Sequence, residues 1–177
     1  MSEPRPPKLA KLVIGCFTKE KGILSNVGRE LAESFGSPDV ISPWLAFEQT
    51  DYYKPEMGAP LFRRLMAFSN LIEQDSLADT KLLTNDLENR LSRRGKRVIN
   101  IDPGYLLAER FVLATGKNYT HRVYLKDGIY ADLTLIYHQG GFRALDWTYP
   151  DYAGKAIVNF LKSVRERYMY QMRQSEN

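Results

Sequence analysis

From Lys8 to Phe17 the chain reads KLAKLVIGCF, a run dense in apolar and β-branched residues that predicts a strand. Thr18 to Lys21 then turns the chain, and Ile23, Val27, Leu31 and Phe35 recur at helical spacing over Gly22 to Phe35. Gly36, Ser37 and Pro38 stop that helix. Asp39 to Glu48 reads as a second strand, broken by Pro43 and so placed at an edge or bulge. Gln49 to Pro60 is loop-like. Leu61 to Ile72 alternates as a strand, with Phe62, Met66 and Phe68 on one face. Asp75, Ser76 and Asp79 mark a helix start, and Leu77, Leu83, Leu87 and Leu91 carry its apolar side to about Ser92. Val98 to Ile101 is a short strand ending at Asp102, and Asp102-Pro103-Gly104-Tyr105 reads as a turn.

From Leu107 to Thr148 the pattern predicts three antiparallel strands, with hairpin turns at Asp127-Gly128 and Gly140-Gly141. Asp151 precedes a last helix bearing Ile157, Phe160, Leu161, Val164 and Tyr168. The expected fold is α+β: one domain over residues 1–177, with a ferredoxin-like β-α-β-β-α-β core, a C-terminal β-meander and a final helix. Residues 1–7 are expected to form a flexible arm and residues 173–177 a frayed tail.

With both turns as placed, Lys126 pairs with Ile129, Val123 with Asp132, and His121 with Thr134, while Thr134 meets Trp147 and Asp132 meets Tyr149. One sheet face then gathers His121, Thr134 and Trp147, then Val123, Asp132 and Tyr149, then Leu125 and Tyr130. Arg122 falls on the opposite face. An Asp beside a His stabilises the imidazolium and fixes its tautomer, which suits acid–base work or metal binding. The plain alternative is that His121 and Asp132 satisfy one another near a sheet edge. Asp102 and Tyr105 are expected at the rim of the same pocket, and Tyr52, in the aromatic-acidic loop Asp51-Tyr52-Tyr53, is a further ligand-binding candidate. Thr148 to Tyr152 carries the same two readings, plain turn or pocket rim, and Asp151 has a plain reading as the cap of the last helix.

Composition narrows the function classes. Hydrophobic residues make up 44% and charged residues 26% of 177, an ordinary globular balance. A net charge of +4 is too small to imply nucleic acid by itself. One cysteine, Cys16, excludes an intrachain disulfide and reads as a small buried hydrophobe. The first residues, MSEPRPPKLAK, hold no apolar secretory run, and no stretch approaches the ~20 apolar residues of a membrane helix. A cytoplasmic location without membrane contact is the expectation.

Neither GxxxxGK[ST] nor GxGxxG occurs, so the standard phosphate loops are absent. Cys16, His121 and His138 do not make a zinc set, whereas Asp102, Asp132 and His121 leave a carboxylate-rich metal site open. No cofactor is named by any motif. Arg63, Arg64, Arg93, Arg94, Lys96 and Arg97 keep RNA or other nucleic acid as a second class of partner, less favoured because no RNP-type strand is present.

The segments DYY..EMG (Asp51 to Gly58), TNDLE (Thr84 to Glu88), NIDPGY (Asn100 to Tyr105), HRVYLKDGIYADLTLIY (His121 to Tyr137) and WTYPDY (Trp147 to Tyr152) together resemble the prokaryotic family called domain of unknown function 4416. That resemblance spans nearly the whole chain and brings no defined activity or catalytic residue. Three function classes therefore stand side by side. The first is binding of a small polar or anionic ligand at the sheet-face pocket, with His121 and Asp132 as acid–base partners or metal ligands if the protein is an enzyme. The second is a nucleic-acid module, and the third a structural or protein-interaction domain. Oligomeric state is not readable.

Overall fold

A computed structural model describes residues 2–175. The fold is α+β. Nine strands form one open antiparallel sheet: β1 (Ala10–Thr18), β2 (Pro38–Ile41), β3 (Leu45–Ala46), β4 (Phe62–Ile72), β5 (Ile99–Leu106), β6 (Arg110–Thr115), β7 (Arg122–Lys126), β8 (Ile129–His138) and β9 (Gly141–Ala144). The helices are α1 (Leu24–Phe35), α2 (Lys54–Met57), α3 (Leu77–Leu91) and α4 (Lys155–Ser175). The strand order is β2-β4-β1-β5-β6-β8-β7, with β3 paired to β4 and β9 to β8.

β1 is buried along its whole length, as its apolar run requires, and it splits the core between two faces. Leu12, Ile14 and Cys16 pack under Leu24, Val27 and Leu31 of α1 and Leu87 of α3. Val13, with Leu65 and Ala67 of β4, packs in the cluster that holds Leu161, Val164 and Tyr168 of α4. Burial drives the Cys16 thiol well above its ordinary pKa, leaving it a core side chain and no nucleophile. Lys11, fully buried on the α4 side, donates to Asp39 of β2 and to Gln171 of α4, both at 2.7 Å.

The strand set departs from expectation after Ile99. Asp102-Pro103-Gly104-Tyr105 is no turn: it lies inside β5, paired in turn with Gly15, Ile14, Val13 and Leu12 of β1. Proline's fixed φ is compatible with extended backbone, and Gly104 is needed for close approach, since a Cβ there would sit 2.5 Å from the Val112 oxygen of β6.

The C-terminal strands number four, and they do not form a simple meander. β6 pairs with β8, not with β7, while β7 and β9 lie end to end along the other edge of β8. Asp127 and Gly128 both have positive φ, as a two-residue hairpin turn requires. A bulge at Leu125 then slips the register, so that Arg122, not Val123, faces Asp132. The second hairpin turns on Gln139 and Gly140, one residue earlier than expected, and β9 ends at Ala144. Trp147 and Tyr149 therefore reach the site from the turn after β9. The Asp151 carboxylate does not cap α4, because it accepts from Arg63. Helix α4 continues through Ser175, and positions 176–177 of the expected frayed tail lie outside the described residues.

The β5–β6 ladder is short. Its rungs are Leu106↔Phe111, Tyr105↔Val112 and Gly104↔Leu113, and there it stops. In an antiparallel pair the polar groups of alternate residues turn to the same neighbour. Tyr105 turns to β6, so Pro103 and Ile101 do too. The next rung would need an N–H from Pro103, which has none. Beyond it the two strands diverge, and α3 supplies the missing partners: Glu88 Oε1 accepts from Ile101 N–H at 2.6 Å, and Lys81 Nζ donates to Ile101 C=O at 2.8 Å.

Gly104→Ala is expected to force the β5–β6 contact apart and to destabilise the protein by about 1–3 kcal/mol. Urea denaturation of the two proteins measures the difference, and an unchanged midpoint would contradict the close approach.

Candidate functional site

The divergence of β5 from β6 opens a cavity of about 590 Å³. Its walls come from the Gln49–Tyr53 loop, β4, α3, both diverging strands and the Tyr149–Tyr152 segment. Four cationic side chains line it, Arg63, Lys81, Arg97 and Lys117, and so do four carboxylates, Glu88, Asp102, Asp132 and Asp151.

Arg63 projects from β4 and is 3% exposed. Its guanidinium lies 4.5 Å from the ring centroid of Phe47 and 4.9 Å from that of Tyr152, and it pairs with Asp151. Its Nε has no hydrogen-bond partner among the described residues. Asp102 stands 4.0 Å from Arg63 Nη2 and 3.5 Å from Lys81 Nζ, and it accepts from Asn100 Nδ2 at 2.7 Å. Arg97 grips Glu56 through Nε at 2.8 Å and Nη2 at 2.7 Å, which fastens α2 beside the cavity. That grip lowers the Glu56 pKa, chiefly by its hydrogen bonds, and raises that of Arg97.

The Glu88 carboxylate is penalised by its surroundings. Burial raises its pKa, against the pull of Lys81 and of the Ile101 N–H. Tyr53 is pushed up to about 12, by burial first and then by the charge of Asp102. The Tyr152 hydroxyl is likewise driven up by burial.

A second polar cluster borders the cavity at Asp132, which is 2% exposed. His121 Nε2 lies 3.2 Å from Asp132 Oδ2, so the expected pair is brought together. Arg122 shares the same oxygen at 2.9 Å, a consequence of the Leu125 bulge. The guanidinium continues to Tyr149 OH at 2.7 Å and to the Lys117 carbonyl at 2.9 Å. Burial opposes the Arg122 charge, yet the bonds to Asp132 and Tyr149 outweigh it and raise its pKa. His121 stacks on Trp147 at 4.9 Å, and Trp147 Nε1 donates to the Leu133 carbonyl at 2.8 Å. With Arg122 already neutralising Asp132, this cluster pins the loop before β7 and the turn after β9 onto β8.

Of the residues singled out from sequence, Asp102, Asp132, Tyr52 and Tyr149 line the cavity. His121 and Trp147 stand behind Asp132 and outside the cavity wall. Tyr105 is buried in the core, where desolvation raises its pKa, and Tyr130 packs edge-on against Tyr124 at 5.3 Å. Neither lines the cavity. Asp102, Asp132 and His121 do not assemble a metal centre: among the described residues no three His, Cys, Asp or Glu side chains are grouped to hold an ion. In the basic run after α3, Arg93 is paired with Glu20 and Arg97 with Glu56.

The family model for the domain of unknown function DUF4416 matches residues 8–168, which includes every wall of the cavity. The chain belongs to the DUF4416 family. No curated protein and no solved structure matches it. No described helix of this DUF4416 chain is long and apolar enough to cross a membrane.

Lys81 and Glu88 are wall residues that local sequence does not mark as a site, while Arg63 is marked there only as a cation for nucleic acid and Asp151 only in the turn before the last helix. The one available signal is on α3, where Lys81, Asn85 and Glu88 recur at helical spacing as a polar stripe beside the buried Leu77, Thr84 and Leu87.

Two outcomes follow from this geometry. Arg122→Ala leaves Asp132 buried with only His121 and the Thr134 hydroxyl beside its carboxylate and is expected to cost about 3–5 kcal/mol, with Asp132→Asn in the same chain recovering part of it; denaturant titration of the four proteins in the cycle measures both. For Glu88, the folded protein holds a proton more tightly than the unfolded chain does. Its contribution to stability is therefore best below the ordinary glutamate pKa and declines as pH rises through the raised folded value. Glu88→Gln is expected to remove that decline, read from urea midpoints between roughly pH 4 and 8.

Proposed function

We propose that this protein binds a small polar ligand, bearing at least one anionic group, in the cavity between β5 and β6. The observation that carries the reading is Arg63: a guanidinium 3% exposed, on the cavity wall, with an Nε that has no partner. A buried donor without an acceptor is a cost that a ligand oxygen offsets. The cavity volume falls in the range of small-molecule sites, and its walls mix aromatic rings with convergent charged groups. Asp102, Asp132, Tyr149 and Tyr52 serve as wall residues in this reading, and the His121–Trp147 pair supports Asp132 from behind. We also read the segment from β1 to β5 as a ferredoxin-like unit, supported by its strand order β2-β4-β1-β5.

Thermal melting of the purified chain against millimolar phosphate, dicarboxylates and zwitterions tests the reading. A ligand at about ten times its Kd is expected to raise Tm by roughly 3–6 °C. Arg63→Lys, which keeps the charge and loses the Nε, is expected to weaken that shift. A Tm that stays fixed across the whole panel would overturn the assignment.

A further inference from the structure

Four cationic and four anionic side chains line the cavity, so a ligand carrying both signs keeps a balance that a ligand of one sign upsets. Two of those side chains face each other with hydrogen-bonding capacity to spare. On Arg63, Nη1 is taken by Asp151, and Nε has no partner among the described residues. Nη2 stands 4.0 Å from Asp102 Oδ2, beyond hydrogen-bond distance. The Nε–Nη2 side of a guanidinium is one that holds a carboxylate through two parallel bonds. Asp102 is the more open of the pair: 27% of its side chain is exposed, while those of Arg63 and Lys81 are nearly covered. Its Oδ2 accepts from Asn100, and its Oδ1 makes a long contact of 3.5 Å with Lys81. An ionised carboxylate has about four acceptor sites, so Asp102 has room for a further donor.

We infer that the ligand is a compact zwitterion of the α-amino acid type, with its carboxylate on Arg63 and its ammonium on Asp102. In such a molecule a single carbon separates the two charged groups, and bond lengths put the nitrogen about 2.5 Å from the carboxylate carbon. That short separation suits a donor and an acceptor 4.0 Å apart. Guanidinium, ligand carboxylate, ligand ammonium and Asp102 then alternate in sign around a closed ring, so every neighbouring pair attracts. A lone anion on Arg63 lies beside Asp102 and is repelled by it. A zwitterion with its charges further apart reaches one partner and misses the other. The rest of the cavity is left for the side chain, against the rings of Phe47 and Tyr53 and the polar stripe Lys81, Asn85 and Glu88 of α3. This inference rests on the cavity being the binding site.

Calorimetric titration of the full chain with α-, β- and γ-aminobutyrate and with butyrate tests the assignment. The three aminobutyrates are isomers that differ in the distance between their charges, and butyrate lacks the ammonium. α-Aminobutyrate is expected to bind about tenfold or more tightly than γ-aminobutyrate and than butyrate, with β-aminobutyrate between. Asp102→Asn is expected to weaken binding of α-aminobutyrate and to strengthen that of butyrate, a reversal that damage to the fold does not produce. Equal affinity for the three isomers, or α-aminobutyrate binding that ignores Asp102→Asn, would overturn the inference. Butyrate binding that depends on Arg63, with no gain for α-aminobutyrate, would leave the cavity as an anion site and reject the zwitterion. Absence of binding by all three aminobutyrates would also reject the zwitterion, and melting against phosphate and dicarboxylates then judges the anion site separately.

Discussion

The absent N–H of Pro103 governs the architecture of the site. A continuous antiparallel ladder from β5 to β6 would leave no space between them, and the ladder ends where proline cannot donate. A divergence inside a sheet exposes backbone groups to a poorly hydrated interior, at roughly 1–3 kcal/mol for each one left unmade. Ile101 avoids this because two charged side chains of α3 stand in for a strand. Burying charge is itself unfavourable, so Glu88 and Lys81 need further partners, and Arg97 at 3.6 Å and Asp102 at 3.5 Å provide them. The polarity of the cavity is therefore a consequence of its opening. One residue that interrupts a ladder brings in two ions, and those bring in two more.

The ionic contacts also define which parts of the chain answer to the cavity. Arg63 joins β4 to the segment before α4, Arg97 joins the segment before β5 to α2, and Arg122 joins β7 to the turn after β9. Each uses a planar guanidinium with several donors, which lysine does not match. The loop carrying Tyr52 and Tyr53 is held at one end by Glu56, while Tyr52 is 65% exposed and lies under Lys117 at 4.6 Å across the opening. Rigid walls thus meet a more exposed margin at the cavity mouth.

The regular elements were legible because their apolar spacing is strong: β1, α1, β4 and α3 stand within a few residues of where periodicity puts them. The misreadings occurred where a local signal competes with tertiary pairing. Asp-Pro-Gly-Tyr has turn chemistry, yet β1 on one side holds it extended. The turn at Asp127-Gly128 was readable, but the Leu125 bulge was not, and a slip of one position exchanged Val123 for Arg122 opposite Asp132. Asp102, Asp132, Tyr52 and Tyr149 were visible in stretches dense with polar and aromatic residues. Lys81 was not visible as a site and Arg63 only as one of several cations, since they belong to ordinary amphipathic or alternating segments and become neighbours of Asp102 only through folding.

The contacts of α4 carry a consequence for the order of assembly. Tyr168 donates to the Leu9 carbonyl across 159 positions, and Gln171 accepts from Lys11 across 160. β1 lies in the middle of the sheet, between β4 and β5, so the first strand made is also the one sealed by the last helix. Closing such long loops is slow relative to local structure, and their entropy is lost before the contacts stabilise anything. Arg63 must likewise wait 88 positions for Asp151. A growing chain therefore carries Lys11 with Asp39 but without Gln171, and Arg63 without Asp151, until those later segments arrive. The cavity is a late product of folding, because its last wall, Tyr149–Tyr152, comes only just before α4.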